Sequence, residues 1–267
     1  MMRTILICFL FAAVMGLWSC NKVIELDLRD AEVKYVIEGV ITNEPGVCKV
    51  YISQSKNFNE DNQFLKISGA VVKVKDNGVE TTLSEIQPGL YETNVINGTP
   101  GHTYQLMVTI NNNNFTASST MPQPVTMDTL YVAPGPFGEF KFAYVGYTDP
   151  PGLANGYRFV QYVNGVKEPT IFWDDDEFTD GQAVITMLDA SVDEKNDPRN
   201  IKTGDNVTVE MLTLDRAVYD FWYTLSTGGG DGNAEVAAPA NPLTNIKGGA
   251  LGYFSAHTVS RRSVIAP

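Results

Sequence analysis

Thiols, imidazoles and positive charge are scarce in this chain of 267 residues, and each shortage excludes something. Three cysteines, Cys8, Cys20 and Cys48, are too few for the disulfide frameworks that hold small secreted domains. With two histidines, His102 and His257, any Ser-His-Asp triad or histidine metal centre must use one of them. No Gly-x-Ser-x-Gly or His-x-x-x-His pattern accompanies either, and both read as turn or surface residues. Lys and Arg number 19 against 31 Asp and Glu, a net charge of -12, so nucleic acid is a poor partner. Long apolar runs are missing as well. The run from Thr4 to Val14 is shorter than the roughly 20 apolar residues a bilayer crossing takes.

What that run does have is context. Met1-Met2-Arg3 precedes it and Leu17-Trp18-Ser19-Cys20 follows it, the layout of a bacterial lipoprotein signal. Residues 1–19 are expected to be cleaved, leaving Cys20 as a lipid-modified N-terminus and residues 20–34 as an acidic tether. Chains attached to Cys20 would bind the membrane at about 0.8 kcal/mol per buried CH₂. Losing Arg3 moves the net charge to -13, a surface that anionic headgroups repel, so the lipid does the anchoring. Cys48 is then the last thiol, no internal disulfide is possible, and the fold must rest on its core. The alternation Val47-Cys48-Lys49-Val50-Tyr51 makes Cys48 a small buried hydrophobe in a strand.

The mature chain reads as all-β. From Tyr35 to Thr120, seven short runs of period-two alternation are separated by turn signals, among them Glu80-Ser84, Leu90-Thr93, Thr103-Ile110 and Phe115-Thr120. Asp76-Asn77-Gly78 and Asn111 to Asn114 supply the left-handed residues of tight hairpins. This spacing predicts an immunoglobulin-like β-sandwich over residues 35–121. Met121-Pro122-Gln123-Pro124-Val125 is a boundary, since two prolines deny a sheet two donors. Residues 126–267 read as a second β-rich domain with longer connections and one helix near 215–225. Leu214, Val218, Phe221, Trp222 and Leu225 form its stripe, Asp215 its cap and Gly228-Gly229-Gly230 its stop.

The order Cys-x-x-Val-Ile-Glu-Leu-Asp, Val36-Ile37-Glu38-Gly39-Val40-Ile41-Thr42-Asn43 and Pro100-Gly101-x-Thr103-Tyr104 resembles domain-of-unknown-function family 4249. So do Ser119-Thr120-Met121-Pro122, Asp149-Pro150-Pro151-Gly152, Tyr157-Arg158-Phe159, Asp180-Gly181, the Tyr219-to-Leu225 segment and Asn245-Ile246-x-Gly248-Gly249. The resemblance implies a Bacteroidetes lipoprotein of the outer membrane, on its outer face, often encoded beside TonB-dependent receptors. It carries no catalytic residues to transfer. It also suggests Asp128-Thr129-Leu130 as an O-glycosylation triplet.

Chemistry concentrates in Asp174-Asp175-Asp176-Glu177 with Asp180-Gly181, directly after Trp173. Against a calcium loop of the EF-hand type starting at Asp176, Asp180 and Gly181 fit, but Phe178 and Met187 stand where oxygen ligands belong, so a solvated acidic turn is the better reading. Phe137, Phe140, Phe142, Tyr144 and Tyr147 are explained mostly as strand packing. Gly228 to Gly232 follows a helix where a phosphate cradle would open one, and lacks a lysine. Trp173, Asp174 and Asp176 remain as candidate contacts to a glycan or peptide. No catalytic residue, metal or cofactor is assigned. The expected function is a lipid-anchored accessory or ligand-binding subunit of a TonB-dependent receptor, a partner taken from the resemblance. The alternatives are a glycan- or peptide-active hydrolase using Asp174 to Glu177, or a surface adhesin.

Overall fold

The computed structural model describes residues 32–57, 63–136, 138, 140–152, 154–190, 197–228 and 241–267. The signal, Cys20 and all but the last three residues of the tether lie outside them. In chain order the strands are β1 (Tyr35–Thr42), β2 (Cys48–Gln54), β3 (Val71–Asp76), β4 (Val79–Thr82), β5 (Ser84–Gln87), β6 (Leu90–Thr93), β7 (Thr103–Ile110) and β8 (Asn113–Thr120). They continue as β9 (Met127–Pro134), β10 (Lys141–Thr148), β11 (Gly156–Val163), β12 (Val166–Lys167), β13 (Phe172–Asp175), β14 (Ala183–Leu188) and β15 (Asn206–Leu214). Helix α1 (Arg216–Gly228) and the long strand β16 (Leu251–Ile265) close the chain. The fold is nearly all β, as the alternation predicts. No helix among the described residues is long and apolar enough to cross a membrane.

Alternation decides which side chains go inward. In β7, Tyr104, Leu106, Val108 and Ile110 are buried, and Val72 and Val74 of the neighbouring β3 join them. These meet Ile37, Ile41, Cys48, Val50 and Ile52 of β1 and β2 in one cluster, so two sheets face each other across a shared core. Each fully buried side chain of this size contributes about 1.5–3 kcal/mol, more than the roughly 0.5–1.5 kcal/mol net of a ladder hydrogen bond, so packing sets the layering. Asn77 and Gly78 make the β3–β4 turn with φ of 46° and 89°, and Asn111 and Asn112 the β7–β8 turn with 47° and 65°. Glu80-Ser84, read from sequence as one strand, is two. The chain leaves β4 at buried Leu83, which donates to the Val72 carbonyl, and re-enters the opposite sheet as β5.

One sheet runs through both halves in the order β12-β11-β15-β16-β1-β2-β6-β5, with β13 beside β11. A four-stranded sheet, β4-β3-β7-β8, and a three-stranded one, β14-β10-β9, complete the fold. β16 joins the halves: its first seven residues pair in parallel with β1 and its last eight antiparallel with β15. The Met121-to-Val125 linker separates two cores, Met121 closing the first and Val125 opening the second, but the large sheet is continuous across them. Val33–Lys56 and Asp61–Pro267 form one compact unit.

The two faces of the large sheet are covered differently. Tyr157, Phe159, Val207, Val209 and Met211 pack on Val132, Ala143, Val145 and Tyr147 of the three-stranded sheet. On the reverse face, Val160 and Leu212 meet Val218, Tyr219, Phe221 and Trp222 of α1. Trp222 lies over the Arg158 guanidinium, with Cζ 3.4 Å from the ring centroid. Val218, Phe221 and Trp222 of the helix stripe are packed on the sheet as its spacing predicts, whereas Leu214 is the last residue of β15 and Leu225 is exposed.

Candidate functional site

β13 carries the candidate aromatic and the first acid, and strand alternation turns them apart. Trp173 pairs with Arg158 and faces α1, while Asp174 pairs with Tyr157 and faces the three-stranded sheet. Trp173 is 36% exposed and stands edge-on to Tyr223 at 4.7 Å and to Tyr219 at 6.2 Å. Tyr219 and Tyr223 stack at 6.0 Å, and the Arg216 guanidinium sits 5.0 Å over Tyr219. Trp173 and Tyr223 thus form an exposed ring pair over buried Tyr219, of which the sequence reading named only Trp173. The i, i+4 spacing of Tyr219 and Tyr223 on a helix was the available signal.

Asp174 is occupied. Its Oδ2 accepts from the Tyr147 hydroxyl at 3.2 Å and from Thr186 Oγ1 at 2.6 Å. Burial, and then Asp174 itself, pushes the Tyr147 phenol well above its ordinary pKa. Asp175 takes the Glu177 N–H at 3.2 Å and faces Arg216 at 4.0 Å, and Glu177 is exposed.

Asp176 turns the other way and meets two partners. One carboxylate oxygen from each of Asp149, Asp176 and Asp180 lies within 4.8 Å of the others. Asp149, fully buried just after β10, accepts from the Tyr157 hydroxyl through Oδ1 and from Gly181 N at 3.4 Å through Oδ2. Burial and this bond drive the Tyr157 phenol far up. Asp176 Oδ2 accepts from Asn155 N at 2.9 Å and Asp180 Oδ1 from Gly152 N at 2.6 Å. Asp176 and Asp180 are therefore brought together, whereas Trp173 and Asp174 point to opposite faces of the sheet. Asp149 was missed as a ligand candidate, although an acid ending a strand before Pro150-Pro151-Gly152 is the kind of residue that re-enters a loop.

The groups a hydrolase would recruit are committed elsewhere. His102 is a turn residue, as expected, with Nδ1 2.9 Å from Asp76 Oδ1. His257 is not on the surface: it is buried in β16, hydrogen-bonded through Nδ1 to Ser255 Oγ at 2.8 Å, and burial, with Arg158 nearby, lowers its pKa to about 4. The Ser255–His257 pair is closed to substrate, and Ser255 is 1% exposed. Cys48 is buried and its thiol is pushed up to about 12 by desolvation. Of the aromatic run, Tyr147 is core, Tyr144 stacks on Tyr131 at 5.0 Å, and Phe137 lies outside the described residues. So does Cys20, and so do Gly229 to Gly232 of the glycine-rich run. Thr129 is exposed on β9.

Compared with known proteins, residues 21–263 match the family model described as a domain of unknown function, DUF4249. No curated protein matches.

Proposed function

The chain belongs to the DUF4249 family, and from that premise we propose that it is a non-enzymatic binding protein, anchored to the outer membrane by lipid on Cys20. It serves as the accessory subunit of a TonB-dependent receptor and presents a glycan or peptide contact at Trp173. The observation that carries the binding reading is the pair of exposed rings Trp173 and Tyr223, backed by buried Tyr219, beside an acidic loop whose carboxylates hold hydroxyls and backbone N–H groups. Rings of this kind stack on sugar faces or on peptide side chains. The Ser255–His257 pair and Cys48 are buried, which weighs against a hydrolase built on either. An immunoglobulin-like reading of residues 35–121 is supported by strand order. β1-β2-β6-β5 opposite β4-β3-β7-β8 follows the arrangement of a seven-stranded immunoglobulin domain with one added edge strand. Such sandwiches serve binding and adhesion alike.

The test is mass spectrometry of whatever copurifies with the tagged protein from detergent-solubilised outer membranes, with Cys20→Ala as the control. A TonB-dependent receptor recovered with the wild type and lost with Cys20→Ala is the expected result. Recovery of the protein alone after mild crosslinking, or turnover on a glycan or peptide panel, would overturn the reading.

A further inference from the structure

We infer that the reverse face of the large sheet, beside α1, holds a binding site for a short peptide with free termini, its ammonium on Glu38 and its carboxylate on Arg158 and Lys167. Strand register builds the floor. Tyr51, Glu38 and Tyr253 stand opposite one another on β2, β1 and β16, so their side chains share one face, neighbours being about 5 Å apart. Tyr253 also touches α1, with its ring 4.8 Å from Phe221 and 5.0 Å from Trp222, and Trp222 in turn lies over the Arg158 guanidinium. Lys167 pairs with Tyr162, which alternation puts on the same face as Arg158. A row therefore runs from an exposed carboxylate, over aromatic rings, to two cations. Tyr51, Glu38 and Lys167 are exposed, and Tyr253 and Arg158 are half-buried.

The charges of this row lack partners. Among the described residues none of Glu38, Arg158 and Lys167 forms an ion pair or a side-chain hydrogen bond, and Arg158 Nε is buried with nothing to donate to. Glu210, the acid nearest in sequence pairing to this end of β11, is already held by Arg261 and by the Tyr162 hydroxyl. Charges taken partly out of water are ordinarily paired, so an unpaired set of both signs around a ring floor fits a molecule that carries both signs itself.

The sheet curls around the row. β12 is four strands from β1, which on a flat sheet would hold Lys167 about 19 Å or more from Glu38. Each nevertheless acts on the other. Desolvation raises the Glu38 carboxyl and Lys167 opposes the rise; desolvation lowers the Lys167 ammonium, Arg158 adds to that, and Glu210 and Glu38 oppose it. Both groups are exposed, so protein crowds them without covering them, the condition of a concave surface. An unmodified neutral glycan has no charge for either end of this trough, and nucleic acid has charge for one. A single amino acid, with both charges on one Cα, is too short to pass Tyr253 and Trp222. An extended peptide of about three or four residues, at about 3.3 Å each, reaches. The site uses other helix residues than the Trp173 contact, and the inference rests on neither the lipid nor a receptor.

The experiment titrates the purified full-length protein by calorimetry with a pool of tetrapeptides Ala-Xaa-Xaa-Ala, supplied unblocked, N-acetylated or C-amidated, with thermal melts in parallel. Wild type, Glu38→Gln, Lys167→Gln and Asp128→Asn are compared. The unblocked pool should bind wild type and Asp128→Asn alike and raise their melting temperatures, and either block should weaken binding about tenfold or more. Glu38→Gln and Lys167→Gln change exposed side chains, so without peptide both should melt like wild type. Glu38→Gln should bind acetylated and free-amine peptides equally, and Lys167→Gln should lose most of its preference for a free carboxylate, pairings that a merely structural role would not produce. No binding to wild type up to about 10 mM peptide, binding indifferent to both blocks, or unchanged preferences in both variants would overturn the site.

Discussion

A buried neutral imidazole makes stability depend on pH in a direction that follows from its burial. His257 has a folded pKa of about 4, against about 6.5 for an unperturbed histidine. Between those values the unfolded chain takes up a proton that the folded chain refuses, so this contribution is whole above pH 6.5 and is lost as pH falls toward 4. About 2 kcal/mol should be gone by pH 5. Urea melts of wild type and His257→Gln at pH 7.5 and 5 check this; the variant should be less stable at pH 7.5 but show the shallower decline. A second residue-scale constraint is Gly252, which pairs with Ile37 at φ 97°, where an added Cβ would run into the Ile37 carbonyl. Gly252→Ala should cost more than about 3 kcal/mol in the same melts, because both backbone strain and a displaced ladder are involved. Single residues were legible where chemistry and pattern coincide. Cys48 was, because alternation placed it inward. His257 was not, because its strand is covered on both faces and so lacks the polar-out signature that marks a half-buried strand.

Elements were legible where one face meets water. The hairpin β7–β8 and helix α1 follow from alternation, asparagine turns and a stripe of period 3.6. β5 was merged with β4 because the switch between sheets occupies one residue, too short for a turn signal. β16 was missed because its burial runs unbroken for five residues at its middle. At α1 the cap does two jobs: Asp215 Oδ1 accepts from Val218 N at 3.0 Å, while Oδ2 takes Ser119 Oγ at 2.5 Å and Thr120 N at 3.0 Å. Losing a cap alone costs about 1 kcal/mol, and orphaning two further donors adds about 1–3 kcal/mol for each one that is buried. Asp215→Ala should therefore destabilise the protein by about 2–4 kcal/mol in urea unfolding, well beyond Asp220→Ala, whose carboxylate serves a surface ion pair with Arg216.

At the scale of the molecule, a sheet continuous across two cores couples them. Cys48 reports on the first core and Trp222 on the far face of the second half. Thiol labelling of Cys48, located by peptide mass, and tryptophan fluorescence should then follow one urea transition with the same midpoint. Two separated midpoints would mean that β16 does not transmit stability. The candidate site was legible only in part for the same architectural reason: Asp176 and Asp180 are sequence neighbours, but Asp149 reaches them across strands, and no local window contains all three. The parallel pairing of β1 with β16 also works as a check on chain length. β1 gains its neighbour on one side from Leu251 to His257 of β16, far along the chain. A chain broken off before Leu251 leaves β1 with a row of open N–H and C=O groups that water must satisfy and that any stray strand can join. A chain that carries β16 closes this edge of β1 itself.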